Sequence, residues 1–370
     1  MFGPTAPVLR VDPDAARANL AAVRGRTAGR ILVAVVKDNA YGHGAAALAH
    51  ALAREGVRRF AAGTVEEACA LQDAGVPGEI MNLRLFRTGE AREIRERGIV
   101  QTVFAAGHLR ALAEGAGDAA GRPARVQIKI DTGMGRFGAP PERFDALVRQ
   151  AADAGCFRIE GVFSTLAEDP AFDPEQIGRF LDLRRQNAGR LRAAGHEAIW
   201  HLCSSDGILR WPDVEADAVR TGALLCGFPP AHGPQGPSPP FPLRPVARLS
   251  VPFLDIRDLP AGARFGYAGL PPLSSPARLG FAGIGQIHGL PAELGGRADA
   301  LVGGRRCRIL AVGGEYTVIR LDPSLPEPGR LAATLLGTEG DQEISLADWQ
   351  RRAALSPYRA LTGLRGCRRE

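Results

Sequence analysis

Apolar and polar positions follow two patterns along this chain. After an amphipathic stretch at residues 12 to 28, short apolar runs begin near Ile31, Arg59, Glu79, Ile99, Arg125, Arg158, Ala198 and Ala218. Between them lie stretches such as AAALAHALAREG, TVEEACALQDAG and PERFDALVRQAADAG, with apolar residues at helical spacing. The last two close on glycine, as helices often do. Eight strand-like runs alternating with helices predict eight parallel strands closed into a (β/α)8 TIM barrel rather than an open doubly wound sheet.

Residues 229–245, PPAHGPQGPSPPFPLRP, hold eight prolines. Proline continues neither a helix nor a central strand, so the first unit ends here. Beyond it the helical period gives way to the strand-like runs RLSVPFLDI, RLGFAGIGQI, RRCRILAVGG and YTVIRLD, broken by Gly and Pro. The expected organisation is an α/β barrel domain over residues 1–235 and a C-terminal, mainly β domain over residues 236–370.

Composition narrows the functions. Hydrophobic residues at 45% and charged residues at 23% are an ordinary globular mix, and no apolar run is long enough to span a membrane. The start, MFGPTAPVLR, lacks the basic and apolar segments of a secretory leader, so a cytoplasmic protein is expected. Six cysteines without paired or metal-ligand spacing predict neither a disulfide framework nor a metal site. The net charge is +6, but the basic residues are spread along the chain, so no nucleic-acid partner is expected.

Lysine changes the picture. Lys and Arg total 46, yet only Lys37 and Lys129 are lysines. Arginine can replace lysine on a solvated surface, but its guanidinium stays protonated and cannot act as an amine nucleophile. The two lysines are therefore candidates for amine chemistry, with chance retention under a biased composition as the plainer alternative. The run ILVAVVKDNAYGHG places Lys37 at the end of the first barrel strand, with Tyr41 four residues on in a glycine-bounded loop. Barrel enzymes carry their chemistry at that end. From position alone, a lysine snorkelling from the barrel rim fits equally well.

The segment VVKDNAYGHG resembles the pyridoxal-phosphate attachment motif of bacterial alanine racemases, with Asp38 where that family has alanine. Further motifs follow in order: VQIKIDTGMGRFG, HLCSSDGILRWPDVEADAVRTGALLCG, LPAGARFGYAG and SPYRALTGL. The resemblance implies an isomerase that interconverts L- and D-amino acids with pyridoxal 5'-phosphate on Lys37 as a Schiff base. It assigns the cofactor phosphate to Tyr41, Ser205, the backbone of Gly222 and Ala223, and Tyr358. It sets Arg220 against the pyridine nitrogen and Arg136 at the cofactor phenolate and substrate carboxylate. It also implies a carbamate on Lys129, and a homodimer in which Tyr267 reaches the opposite subunit's site as the second base.

Taken singly, these residues have plainer readings. Ser205 reads as a helix cap, Gly222 as a turn, Arg220 as a surface ion-pair partner, Lys129 as an unmodified lysine and Tyr267 as a packed core residue. Gly133, Gly135 and Gly138 spell a dinucleotide fingerprint, but no acidic residue ends a following strand. Glu327 to Arg330 copies a phosphate motif of fold-related decarboxylases, yet lies late in the β domain.

Departures from the family gather at the substrate entrance. Thr165 replaces a histidine and Ser204 an asparagine. Gln286, His288, Ala292 and Val312 stand at entrance positions, and Glu315 and Tyr316 replace a pair that positions the substrate carboxylate. Three classes therefore stand: an amino-acid racemase with an altered substrate, another pyridoxal-phosphate reaction such as decarboxylation or aldol cleavage, and a catalytically weakened cofactor-binding homologue.

Overall fold

The computed structural model describes residues 6–115, 121–230, 237–266, 270–325 and 331–369. A short strand, β1 (Val8–Val11), precedes the helix Pro13–Arg26. Asp12 caps this helix by accepting from the Asp14 and Ala15 amides, and proline stands in its first turn, so its start follows directly from sequence.

Eight parallel strands then close into a barrel. They are β2 (Ile31–Val35), β3 (Arg59–Ala62), β4 (Glu79–Asn82), β5 (Val100–Val103), β6 (Ala124–Lys129), β7 (Phe157–Phe163), β8 (Ile199–His201) and β9 (Ala218–Thr221). Each begins within one residue of the position that the apolar runs predict. Closure is direct: β2 pairs with β3 on one side, Val33 opposite Arg59, and with β9 on the other, Ile31 opposite Ala218. β5 and β9 are buried at every position, as strands covered on both faces must be.

The second unit is mainly β. It contains β10 (Ala247–Leu259), β11 (Ala277–Ala282), β12 (Asp299–Val302), β13 (Arg305–Val312), β14 (Thr317–Arg320), β15 (Ala332–Glu339), β16 (Gln342–Ile344) and β17 (Arg368–Arg369). With β1 they form a sheet in the order β16-β15-β12-β13-β14-β11-β10-β1-β17, and an added β15–β10 pairing brings it back on itself. β1 pairs with β10, Val8 opposite Ser250, so the residues before the barrel build the second unit. The division of the chain is therefore not a single cut.

The proline-rich connection is tied to the barrel. Asn19, buried on the first helix, donates to Arg244 O at 2.8 Å and accepts from Arg244 N at 2.8 Å. Gly227, at φ 85°, lies so near this strap that a Cβ would sit 1.9 Å from Arg244 O. The short helix Pro357–Ala360 returns the chain end to the barrel, because Tyr358 packs on Tyr41. Among the described residues no helix is long and apolar enough to cross a membrane.

Candidate active site

Lys37 follows β2 directly and opens a turn of unusual hand. Asp38, Asn39, Ala40 and Tyr41 all have positive φ, from 52° to 54°, although none is glycine. Left-handed backbone costs an L-residue roughly 1–2 kcal/mol, so the surroundings must hold it there. Ala40 N donates to Val36 O at 2.8 Å, and Gly42 N donates to Asp38 O at 3.0 Å. Asn39 Oδ1 accepts from Ala45 N at 2.8 Å, and Asp38 lies 3.5 Å from the Arg84 guanidinium. The turn presents Lys37 and Tyr41 side by side, with the Lys37 Nζ 5.9 Å from the tyrosine ring centroid. Burial lowers the Lys37 pKa below the ordinary lysine value; Asp38 opposes this, while Arg84 and Arg136 add to it. The result is an amine with a larger neutral fraction.

Beside it lies a cradle of hydroxyls. A Cβ on Gly222 would sit 2.5 Å from the Tyr41 ring and 2.8 Å from its Oη, so only glycine lets β9 pass this close. Ala223 is buried just beyond it. Tyr358 meets Tyr41 edge-on at 5.5 Å, and Phe228 packs edge-on against both rings. Ser205 Oγ and Thr221 Oγ1 are 2.7 Å apart. Four elements distant in sequence thus bring Tyr41, Ser205, Gly222, Ala223 and Tyr358 together at the C-terminal mouth of the barrel.

Arg220 is buried on β9 with an unusually complete set of acceptors. Its Nη1 bonds His201 Nδ1 at 2.6 Å and His201 O at 3.2 Å; its Nη2 bonds Ser164 O at 2.8 Å and Leu202 O at 3.2 Å. Its guanidinium lies 4.9 Å from the Phe163 ring centroid. Since arginine donates to Nδ1, the His201 proton sits on Nε2, which donates to Gln127 Oε1 at 2.6 Å. Burial, then the Arg220 charge, pushes His201 well below its usual pKa and keeps it neutral. Burial lowers the Arg220 pKa to about 10, so it remains a cation at neutral pH.

Lys129 ends β6 beside this group, with its Nζ 5.6 Å from the Phe163 ring and 5.9 Å from the Phe137 ring. Burial, followed by Arg220 and Arg136, lowers its pKa to about 8. Arg136 stands in the loop after β6, where its backbone N donates to Asp131 Oδ2 at 3.0 Å. The same aspartate accepts from Gly133 N at 2.9 Å, so the glycine-rich stretch is the turn that carries Arg136. A closed barrel leaves no open-sheet crevice there for a dinucleotide.

Gln127 and His201, which orient Arg220, were not singled out from the sequence. A usable signal existed: Gln127 precedes Lys129 by two on one strand and so shares its face. Glu315 and Tyr316 lie between β13 and β14. There Tyr316 lines a cavity of about 390 Å³ with Gln286, Ala292 and Val312, and all its walls come from the second unit. Within one chain this cavity and the Lys37 cluster have separate linings. Tyr267 and the segment Glu327 to Arg330 lie outside the described residues.

A closed barrel whose C-terminal mouth gathers an amine of lowered pKa, a fixed buried guanidinium and several hydroxyls has the layout of a barrel enzyme's active site. Residues 11–230 match the alanine racemase N-terminal domain family, and residues 246–369 match its C-terminal domain family. The chain belongs to the alanine racemase family, and is an isomerase of the amino-acid racemase class. It is 32% identical to an alanine racemase of Symbiobacterium thermophilum over 96% of this chain and 93% of that one. It is 31% identical to one of Streptomyces coelicolor over 95% and 92%. Among solved structures, the alanine racemase from D-cycloserine producing Streptomyces lavendulae matches at TM-score 0.84 and 32% identity. That match covers 99% of this chain and 97% of that chain.

Proposed function

We propose that this racemase works with pyridoxal 5'-phosphate on Lys37, acts as a homodimer, and prefers an amino acid other than alanine. The donor set fits the cofactor: an amine whose pKa burial lowers, a hydroxyl cradle into which only glycine backbone fits, and a guanidinium held by neutral partners. Bound there, the cofactor supplies an aldehyde that condenses with amines and a ring that draws electron density from a substrate Cα. Tyr41, Ser205, Tyr358 and the Gly222–Ala223 backbone would hold its phosphate.

The protein's part is proton handling and orientation. Lys37 Nζ, its proton affinity lowered by burial, is suited to take and return a proton at Cα on one face. By the family resemblance, Tyr267 of a second copy serves the other face, which is what inversion requires. The four Nη–H bonds of Arg220 go to His201, Ser164 and Leu202, so its Nε–H would be the donor that meets the cofactor's ring nitrogen. A guanidinium in place of a carboxylate there does not stabilise a long-lived carbanion, which favours brief proton exchange over decarboxylation. Arg136 would meet the substrate carboxylate, with Glu315 and Tyr316 at the entrance.

The observation that carries this reading is Lys37 itself, half-buried beside Tyr41 at the barrel mouth, with the buried Arg220 fixed by its own acceptors on β9. Borohydride reduction of cofactor-loaded protein, followed by peptide mapping, is expected to place the label on Lys37; label on Lys129 would refute it. Incubation with L-amino acids in deuterated water is then expected to give α-proton exchange with inversion. Alanine is expected to rank below a larger or cationic amino acid in kcat/KM, because Glu315 adds a negative charge and, by the family resemblance, Ala292 and Val312 stand at entrance positions where the family has arginines.

A further inference from the structure

Two loops at the barrel mouth are held by one side chain that the proposed function does not use. Gln176 lies on the helix Asp173–Ala193 and is fully buried. Its Oε1 accepts from Ala167 N at 2.7 Å, and its Nε2 donates to Thr165 O and to Thr132 Oγ1, each at 3.3 Å. A backbone N–H can only donate, so the Ala167 bond fixes which way the amide faces and leaves both amide protons for the other two partners. Thr165 and Ala167 follow β7, whereas Thr132 follows β6. The Thr132 hydroxyl lies 2.9 Å from Ser164 Oγ, and Ser164 O accepts from Arg220 Nη2 at 2.8 Å. Three residues along the same helix face, Arg179 Nη1 donates to Thr132 O at 2.8 Å. Thr132 adjoins Asp131, whose carboxylate accepts from the Arg136 amide.

We infer that Gln176 is a positioning residue for both active-site arginines, tying through Thr132 and Ser164 the carbonyl that orients Arg220 to the turn that carries Arg136. This rests on the cofactor reading above for what the two arginines do. Thr132 and Ser164 are buried, so a partner lost here leaves a polar group unpaired away from water, and the loops must shift to satisfy it. A guanidinium bonded at both Nη atoms moves with its acceptors, so a displaced Ser164 O turns the whole group. The turn after β6 is pressed against the same helix: a Cβ on Gly133, at φ 139°, would lie 2.7 Å from the Phe172 ring and 3.0 Å from Arg179 Nη1. Any movement of the helix therefore reaches both loops.

The first arm of the test needs no cofactor. In full-length chain stripped of cofactor with hydroxylamine and labelled with 15N-histidine, the His201 imidazole signals report Arg220, because His201 Nδ1 is bonded to its Nη1 at 2.6 Å. Gln176→Leu and the isosteric Thr132→Val are each expected to shift those signals, and the double variant should shift them by less than the sum, since the two share one bond. The second arm follows α-proton exchange by cofactor-loaded protein. Both variants are expected to lower kcat at least about tenfold, through Arg220, and to raise KM, through Arg136. Two variants keep the test decisive if one folds poorly by circular dichroism. Unmoved His201 signals, or shifts that simply add in the double variant, would overturn the inference for Arg220, and an unchanged KM would overturn it for Arg136. Wild-type chain that exchanges no α-proton would instead overturn the proposed function, while the His201 signals would still decide the inference.

Discussion

Lys129 illustrates what a single residue's surroundings can demand. Its pKa is lowered from 10.5 to about 8, chiefly by burial and then by the Arg220 and Arg136 charges. Between those two pH values the unfolded chain binds a proton at this site that the folded chain has released. Stability therefore rises with pH across about 8 to 10.5, and the penalty for holding a buried cation is fully present below about 8. In cofactor-free protein, Lys129→Met is expected to melt higher than wild type at pH 7, with the gap closing by pH 10.5. A gap independent of pH would refute the shift. The neutral amine available near pH 8 is also the form that adds carbon dioxide, giving a carbamate and releasing a proton, and such an anion would answer both arginines. Protein incubated with 13C-bicarbonate is expected to show a bound carbonyl resonance that Lys129→Met lacks. Both lysines stood out in sequence because the other 44 basic residues are arginines. Gln127 and His201 did not, since their role is to fix one guanidinium and no spacing rule encodes that.

At the scale of elements, the legible and the hidden divide along physical lines. Barrel strands are buried on both faces, so they read as apolar runs and their starts were visible to within a residue. β1 was not expected, because four residues of alternating pattern gain meaning only from pairing with β10, whose partner for Val8 is Ser250. The left-handed turn from Asp38 to Tyr41 was also hidden; it contains no glycine, and its conformation is imposed by bonds from Val36, Asn39 and Gly42. Gly222 was legible through the resemblance but its reason was not. Gly222→Ala would press a methyl group to 2.5 Å from Val35 O and from the Tyr41 ring. Backbone cannot yield there cheaply, so a loss of about 1–3 kcal/mol in stability is expected, together with weaker cofactor binding as Tyr41 is displaced. Denaturant melts and cofactor titration check both effects. Unchanged stability would mean that β9 shifts freely and that the cradle is not fixed by close approach.

Across the whole molecule, the barrel and the β domain each hold part of what a racemase site needs. Lys37, Lys129, Arg136 and Arg220 gather at the barrel mouth, while Gln286, Ala292, Val312 and Tyr316 line a cavity walled wholly by the second unit. One copy therefore leaves the proposed entrance residues and Lys37 with separate linings, and a second copy, related by a twofold axis, would bring each cavity to the other's barrel. If each site joins Lys37 of one chain to Tyr267 of the other, two inactive variants should restore one another. In a heterodimer of Lys37→Ala and Tyr267→Phe chains, one site receives both intact residues and the other receives neither. After full exchange of equal amounts, half the dimers are mixed and half of their sites are intact, so recovery of about one quarter of wild-type activity is expected. If both bases came from one chain, every site in the mixture would lack one of them and no activity would return. Subunit exchange is verified by mass-tagging one chain and isolating mixed dimers, so that absent recovery in the mixed fraction refutes the shared site rather than the assembly.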